Sequence, residues 1–78
     1  GMSTYRVGTV AHVCQRLAIV PIDGAQMPRI GTVVVDQELQ RVGRIVDIFG
    51  PVSAPYAAVS PTDQETGVRL IGQRVYAR

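Results

Sequence analysis

The sequence predicts an all-β protein, a small closed or nearly closed antiparallel β-barrel of six short strands. Three observations lead to this prediction. The apolar residues occur in short clusters rich in valine and isoleucine, separated by Gly, Pro, Asp and Gln. No window shows the long apolar period of a helix. The chain has only 78 residues, and closing so small a sheet into a barrel removes its vulnerable edge strands.

Six clusters are predicted to be strands because each is short, apolar and bounded by turn residues. They comprise residues 5–13, 17–22, 31–36, 42–49, 56–60 and 74–76. The tripeptide Cys14-Gln15-Arg16 between the first two is short enough for a tight hairpin, and segment 36–41 suits a longer one. Neighbouring strands should therefore be antiparallel.

The remaining connections are predicted to be loops. Segment 23–31 contains Pro28, which blocks regular pairing, so it should be a wide loop or a crossover. The polar segment 61–67 should be a loop as well. Gly8 and Gly43 lie inside predicted strands, where glycine lets a strand bend sharply or lets another backbone come close.

Composition points to a soluble, cytoplasmic protein of one domain. The single cysteine, Cys14, allows no internal disulfide and favours a reducing compartment. The apolar runs have the length of strands, so neither a signal peptide nor a membrane span is expected. We interpret Gly1, which precedes Met2, as a cloning remnant, and residues 2–78 as a single domain.

The charge pattern argues against a strong RNA-binding surface. The formal net charge is +2, and all eight basic residues are arginine, scattered along the chain. Arginine suits flat contacts with phosphates and at interfaces, but no basic run follows the pattern of a nucleic-acid backbone. The three tyrosines are dispersed too. The isolated chain is therefore expected to bind RNA weakly and in a salt-sensitive manner.

No catalytic or metal site is predicted, and no cofactor is expected. His12 and Cys14 share a strand face, but zinc needs four ligands and no other His or Cys is present. A Cys-His dyad lacks an orienting third group, so a packed thiol and a partly exposed imidazole are expected. The glycines form no phosphate-binding pattern.

The aspartates are spaced too widely to predict paired-carboxylate chemistry. Asp23, Asp36 and Asp63 have the surroundings of turn residues. Asp47 interrupts an apolar strand, so it should need an arginine, a backbone amide or a partner protein. Strand alternation places residues 44 and 46 on one face and 45 and 47 on the other, which argues against a direct pair between Arg44 and Asp47.

The stretch DIFGPVSAPY, residues 47–56, is unusually stiff and apolar. Gly50 supplies backbone freedom, while Pro51 and Pro55 fix φ and remove two amide donors. Apolar strands such as 45–49 predict outward apolar surface that a small barrel cannot cover alone. Rigid apolar groups dock at low entropic cost. Composition alone equally allows Phe49 and Tyr56 to plug the barrel end.

Three sequence segments, GTVAHV, PRIGTVVVD and VGRIVDIFGPVSAPYAAV, together resemble the core domain of the Gar subunit of box H/ACA ribonucleoproteins, in its short archaeal form. The resemblance covers roughly residues 5–60 and is weaker in the final segment GQRVYAR. Its most specific motif is IFGPVxxPYxxV. It implies a six-stranded barrel similar to translation-factor domains, without catalysis of its own. Gly31 and Gly43 match the family's strand-entry glycines.

The resemblance also implies a partner, the dyskerin-type catalytic pseudouridine synthase subunit. Gar proteins dock on its catalytic domain and influence a mobile thumb loop, which assists RNA-guided rRNA pseudouridylation, substrate loading and product release. H/ACA guide RNA would be contacted indirectly through the complex. The family positions that match the partner-binding motif are Phe49, Gly50, Pro51, Val52, Pro55 and Tyr56.

Other classes share some of these features. A PRC-barrel ribosome maturation factor also carries a GxVxD pattern like GRIVD, but it would not continue with FGPVxxPY. A stand-alone RNA-binding β-barrel is a second alternative. An assembly-factor branch of the Gar superfamily shares the core fold, and the short chain without flanking regions favours the mature-complex subunit. The glycine-arginine-rich tails of eukaryotic members are missing, which argues against strong direct RNA contact.

Overall fold

The protein is described by a computed structural model that covers residues 4–78; the interpretation of Gly1 lies outside the described residues. Seven strands and one short helix follow each other along the chain. Their bounds are β1 (Tyr5–Thr9), β2 (His12–Cys14), β3 (Leu17–Pro21), β4 (Val33–Val35), β5 (Arg41–Phe49), β6 (Tyr56–Pro61), α1 (Gln64–Arg69) and β7 (Arg74–Ala77). The predicted all-β class is confirmed.

All seven strands form one antiparallel sheet in the order β1-β7-β4-β5-β6-β3-β2. The two strands at its ends, β1 and β2, are consecutive in the chain. Gly8 of β1 also bridges to Ile22, which follows β3, and the Asp23 amide donates to the Val7 carbonyl at 3.0 Å. The sheet therefore curls back on itself as a nearly closed barrel.

The extra strand arises because the first predicted strand, residues 5–13, divides in two. At the break, the Val10 amide donates to the Gln73 carbonyl, just before β7, whereas the Ala11 amide donates to the Ile19 carbonyl of β3, both at 2.9 Å. The chain thus exchanges one neighbour for another between Val10 and Ala11. The six predicted strands are otherwise found within a few residues of their predicted bounds.

Gly8 shows why the barrel needs a residue without a side chain at its seam. A Cβ atom placed on Gly8 would overlap the carbonyl oxygen of Pro21. Two backbones approach here more closely than any other residue type permits, as the sequence predicts for a strand glycine. The interior beside it is filled mainly by β-branched side chains; the fully buried members of the core cluster with the largest volumes are Ile45, Val7, Val10, Val20, Val34, Val59 and Val75.

Strand β5 carries two irregularities that change which side chains face outward. The register shifts once between Gly43 and Arg41, opposite β4, and again between Ile45 and Asp47, opposite β6. In the second shift Val46 is the additional residue of a bulge, so both Val46 and Asp47 are exposed. The predicted grouping of 47 with 45 is therefore wrong, because simple alternation ignores the bulge.

The hairpins agree with the sequence. Gln15 and Arg16 form a two-residue turn between β2 and β3, and both have positive φ, 50° and 69°. In the longer connection from β4 to β5, Asp36 Oδ1 accepts from the Glu38 and Gln40 amides, each at 2.9 Å. Segment 23–31 is a crossover, because β3 and β4 are not neighbours in the sheet.

The prediction of a loop over residues 61–67 is wrong. Strand β6 continues to Pro61, and α1 begins at Gln64. Asp63 is the N-cap, and its carboxylate accepts the Thr66 amide at 2.8 Å; this hydrogen bond lowers the pKa of Asp63 from its ordinary value of 3.8. A polar segment can form one helical turn when a cap satisfies its first amides. No helix within residues 4–78 has the length and apolarity to cross a membrane.

Candidate partner-binding surface

Residues 50–55, here called the proline loop, connect β5 to β6. The loop leaves Phe49 through Gly50, whose φ of +94° is a conformation that other residues rarely adopt. It then turns tightly, because the Ala54 amide donates to the Pro51 carbonyl at 3.0 Å. The Pro55 carbonyl accepts the Ile22 amide at 3.0 Å, which ties the end of the loop to the seam of the barrel. The loop is thus fixed at both ends.

An aromatic pair supports the base of the proline loop. Phe49 and Tyr56 are directly opposite each other in the β5–β6 register, and Tyr56 also pairs with Pro21 of β3. The two rings stack with centroids 5.6 Å apart and planes 15° apart. A Cβ atom on Gly50 would lie 2.9 Å from Tyr56 Cδ1, so glycine lets the ring lie directly against the backbone.

The six sequence-predicted site residues come together at this end of the barrel. Val52 at the loop tip is 99% exposed and Phe49 is 42% exposed; Gly50 and Pro51 are exposed, and Pro55 and Tyr56 are half-buried. The half-buried side chains that pack against the core cluster are Tyr5, Ile22 and Ile48. The Phe49–Tyr56 pair therefore lies outside the core and does not plug it.

Two further exposed apolar side chains, one on β5 and one in the segment next to it, are not among the predicted site residues. Val46 is 43% exposed because of the bulge, and Ile30 is 62% exposed. The Gly31 amide donates to the Ile45 carbonyl at 2.7 Å, which brings the segment carrying Ile30 next to this part of β5. The exposed Ile30 could not be located from sequence, since its loop has no regular pattern.

His12 and Cys14 lie on β2 and are both exposed, with the half-buried Val13 between them. The predicted shared face is confirmed. The expectation of a packed thiol is wrong, because Cys14 faces outward from the hairpin instead of into the core. Within residues 4–78, no three His, Cys, Asp or Glu side chains are grouped as metal ligands would be.

The aspartates have structural roles or face solvent. Asp23 accepts two hydrogen bonds from Arg6, one from Nε and one from a terminal guanidinium nitrogen, each 3.0 Å long. Asp36 accepts the backbone amides of the turn between β4 and β5. Asp63 is the N-cap of α1. Asp47 is exposed, which corrects the expectation that it needs an arginine or a backbone amide; its contact with a partner protein stays a prediction. Water can solvate its carboxylate because the bulge turns it outward.

Residues 4–78 match the sequence profile of the Gar1/Naf1 RNA binding region. The chain belongs to the Gar1/Naf1 family. This match covers all the residues that form the barrel, the helix and the proline loop. The PRC-barrel alternative is therefore set aside. The family consists of non-catalytic accessory domains of ribonucleoproteins.

Individual proteins are similar to the chain at lower identity. An uncharacterized protein of Methanocaldococcus jannaschii is 38% identical over 45 residues, which are 58% of this chain and 54%, about half, of that relative. An uncharacterized protein of Methanothermobacter thermautotrophicus is 26% identical over 73 residues, covering 90% of this chain and 78% of that protein. The solved Gar1 domain of Naf1 superposes with a TM-score of 0.74 at 17% identity, covering 96% of this chain and 85% of that one. That structure supports the Gar1-type fold.

Proposed function

We propose that the chain is a non-catalytic subunit of a box H/ACA ribonucleoprotein that docks on the catalytic domain of a dyskerin-type pseudouridine synthase. The docking surface comprises the proline loop with its flanking aromatic pair, Phe49 and Tyr56. The observation that carries the proposal is the complete exposure of Val52, 99%, on a loop that both ends hold in place. Val52 and the partly exposed Phe49 lie at the same end of the barrel, and clustered exposed apolar residues, unlike single ones, are typical of interaction sites.

The geometry favours binding to a protein surface over a role in folding. Pro51 and Pro55 restrict the loop before any partner arrives, so little conformational entropy is lost on association. Phe49 supplies an exposed aromatic face beside Val52, and aromatic side chains carry much of the binding energy at interfaces. Family membership supports an H/ACA partner for this surface.

The functional consequence of docking is assistance to a conformational step. The family consists of non-catalytic accessory domains, so the proposed contribution of the chain acts through the synthase. A rigid barrel held against the catalytic domain can bias a mobile thumb loop between open and closed positions. This bias would help substrate RNA to load and product RNA to leave, steps that limit turnover in many enzymes.

The experiment is co-expression with a tagged dyskerin-type synthase, followed by pseudouridylation assays on the reconstituted complex. The two proteins should co-purify. Adding this chain should raise the multiple-turnover rate more than the single-turnover rate, because product release contributes only to the former. The barrel alone should turn over no uridine. Absence of co-purification, or activity of the barrel alone, would contradict the proposal.

A further inference from the structure

The fold collects arginines that are far apart in the sequence onto one surface. Strands β1, β7, β4 and β5 are consecutive neighbours in the sheet. Paired residues of antiparallel strands share a face, and alternate residues face opposite sides. On β7, Val75 and Ala77 are buried in the core, so its other residues face outward. The arginines on this outer face, here called the arginine face, are Arg6, Arg41, Arg44, Arg74 and Arg78.

One cross-strand row runs through the middle of this face. Arg41 of β5 pairs with Val35 of β4, Val35 pairs with Tyr76 of β7, and Tyr76 pairs with Arg6 of β1. Val35 is fully buried although it lies on the outer side of the sheet, and Tyr76 is half-buried. The centre of the row is thus apolar and aromatic, and an arginine lies at each end.

Two more rows place the remaining arginines on either side. Arg44 pairs with Val33, and the Arg78 amide donates to the Val33 carbonyl at 3.0 Å. On the other side, Arg74 pairs with Thr9. Arg44, Arg74 and Arg78 are all exposed. The sequence RVYAR therefore presents Arg74, Tyr76 and Arg78 in line on the outside, with the two core residues between them facing inward.

Four of the five arginines on this face form no ion pair within residues 4–78, although Arg74 lines a surface depression together with Asp36 and Glu38. Arg6 is paired with Asp23. Over the described range 4–78, no carboxylate lies within salt-bridge distance of Arg41, Arg44, Arg74 or Arg78. Four exposed guanidinium groups around a tyrosine form a surface for planar, bidentate contacts with phosphate oxygens. Their spread along the sequence conceals this cluster, because only strand pairing brings them together.

The matched family is described as an RNA binding region, and that description names no surface. We propose that the arginine face is the surface that contacts the phosphate backbone of RNA directly. The arrangement combines exposed basic side chains with an interleaved aromatic residue, the pattern of surfaces that bind nucleic acid without reading its sequence. Arg44 precedes Phe49 by five positions on β5, about 16 Å at about 3.3 Å per residue. The RNA contact is therefore separate from the proposed protein-docking surface and does not depend on it.

The proposal predicts a modest affinity with a defined salt dependence. Each phosphate contact with a single strand contributes about −0.7 to the slope of log K against log salt. Four arginines then give a slope of about −3, which corresponds to an approximately fifty-fold loss of affinity between about 50 and 200 mM salt. This salt sensitivity agrees with the small net charge of +2.

The test is fluorescence anisotropy with a labelled single-stranded RNA of mixed sequence, measured over this salt range. The double variant Arg44→Gln/Arg78→Gln should bind more weakly and have about half the slope, so its affinity falls only about seven-fold. The control variant Arg16→Gln/Arg29→Gln removes the same charge from two exposed arginines outside β1, β4, β5 and β7. It should keep most of the original slope.

Two results would overturn the proposal. Equal weakening by both double variants would show that only overall charge matters. If Arg44→Gln/Arg78→Gln instead lost the synthase and kept RNA binding, the face would belong to a protein partner. Retained co-purification with the synthase together with a halved slope supports the arginine face, and it would leave the docking proposal intact. Circular dichroism of each variant checks that the fold is unchanged.

Discussion

Phe49 and Tyr56 stack across the β5–β6 pair with ring centroids 5.6 Å apart and an interplanar angle of 15°. The pair closes the end of the hairpin at the point where the proline loop begins. It also holds the chain on both sides of Gly50, whose backbone lies against the Tyr56 ring. The position of the exposed Val52 therefore depends on this stack, and its energetics can be measured without any partner.

A double-mutant cycle with Phe49→Ala and Tyr56→Ala should reveal coupling between the two rings. Aromatic pairs contribute about 0.5–1.5 kcal/mol beyond the area that they bury. The double variant should therefore lose about that much less stability than the sum of the two single variants. Urea unfolding measures the three free energies. Additive losses would show that the stacked geometry contributes nothing to stability.

Gly50→Ala should destabilise the protein more than Gly31→Ala does. Both glycines have positive φ, +94° and +96°, so alanine is strained at each by about 1–2 kcal/mol. Only at Gly50 would the new methyl group also meet Tyr56 Cδ1, at 2.9 Å; at Gly31 it meets no atom within 4 Å. The difference in unfolding free energy between the two variants isolates the contact with the ring. Equal losses would contradict the packing described here.

Replacing Gln15-Arg16 with Asn-Gly should stabilise the β2–β3 hairpin. Both positions have positive φ, and Asn-Gly is the pair favoured in two-residue turns of this kind. The expected gain in unfolding free energy is about 0.5–1 kcal/mol. The matched control, Gln37→Asn/Glu38→Gly, alters residues of the longer hairpin that do not have positive φ; it should lose stability. A gain in the control and none at the first turn would be the opposite of our expectation.

Asp63 should contribute a pH-dependent part of the stability. Its pKa in the folded protein is lowered below 3.8 by the hydrogen bond from the Thr66 amide. A depressed folded pKa means that the contribution is present above the unfolded pKa and is lost as the pH falls through the folded one. Asp63→Asn keeps a capping oxygen but does not titrate. As the pH falls from the unfolded pKa through the folded pKa of Asp63, the urea midpoint of this variant should therefore fall less than that of the unmodified protein. Asp63→Ala, which lacks the cap, should be less stable even at neutral pH.

The sequence was sufficient for the fold class and most strands because local patterns determine them. The apolar clusters bounded by turn residues match β3, β5, β6 and β7 to within one residue at either end, whereas β4 is three residues shorter than predicted. The sequence was insufficient where contacts between neighbouring strands determine where a strand breaks or bulges. The break at Val10 and the bulge at Val46 depend on which strands meet, and no local pattern marks either. The helix α1 was missed because its capping aspartate resembles a turn residue.

The candidate surface also combines features that local sequence predicts with features that only strand pairing produces. Gly50, Pro51 and Pro55 predict a stiff loop by their covalent geometry alone, and in the structure the loop is largely exposed and held by hydrogen bonds within it and at its end. The exposure of Val46 required the bulge, and the arginine face required the register of four strands. Charge scattered along a β-sequence is thus a poor guide to charge on the sheet surface, because pairing joins distant segments.

The central claim is that the proline loop binds the catalytic subunit of the synthase, and isothermal titration of purified variants tests it most directly. Val52 is 99% exposed, so Val52→Asp should unfold at the same urea concentration as the unmodified protein. We expect it to bind the synthase at least about ten-fold more weakly, because a charge would have to be desolvated in an apolar contact. Leu39→Asp introduces the same charge at another apolar residue, 59% exposed, on the hairpin from β4 to β5, and it should bind normally. Unchanged affinity of Val52→Asp, or equal weakening by Leu39→Asp, would contradict the account.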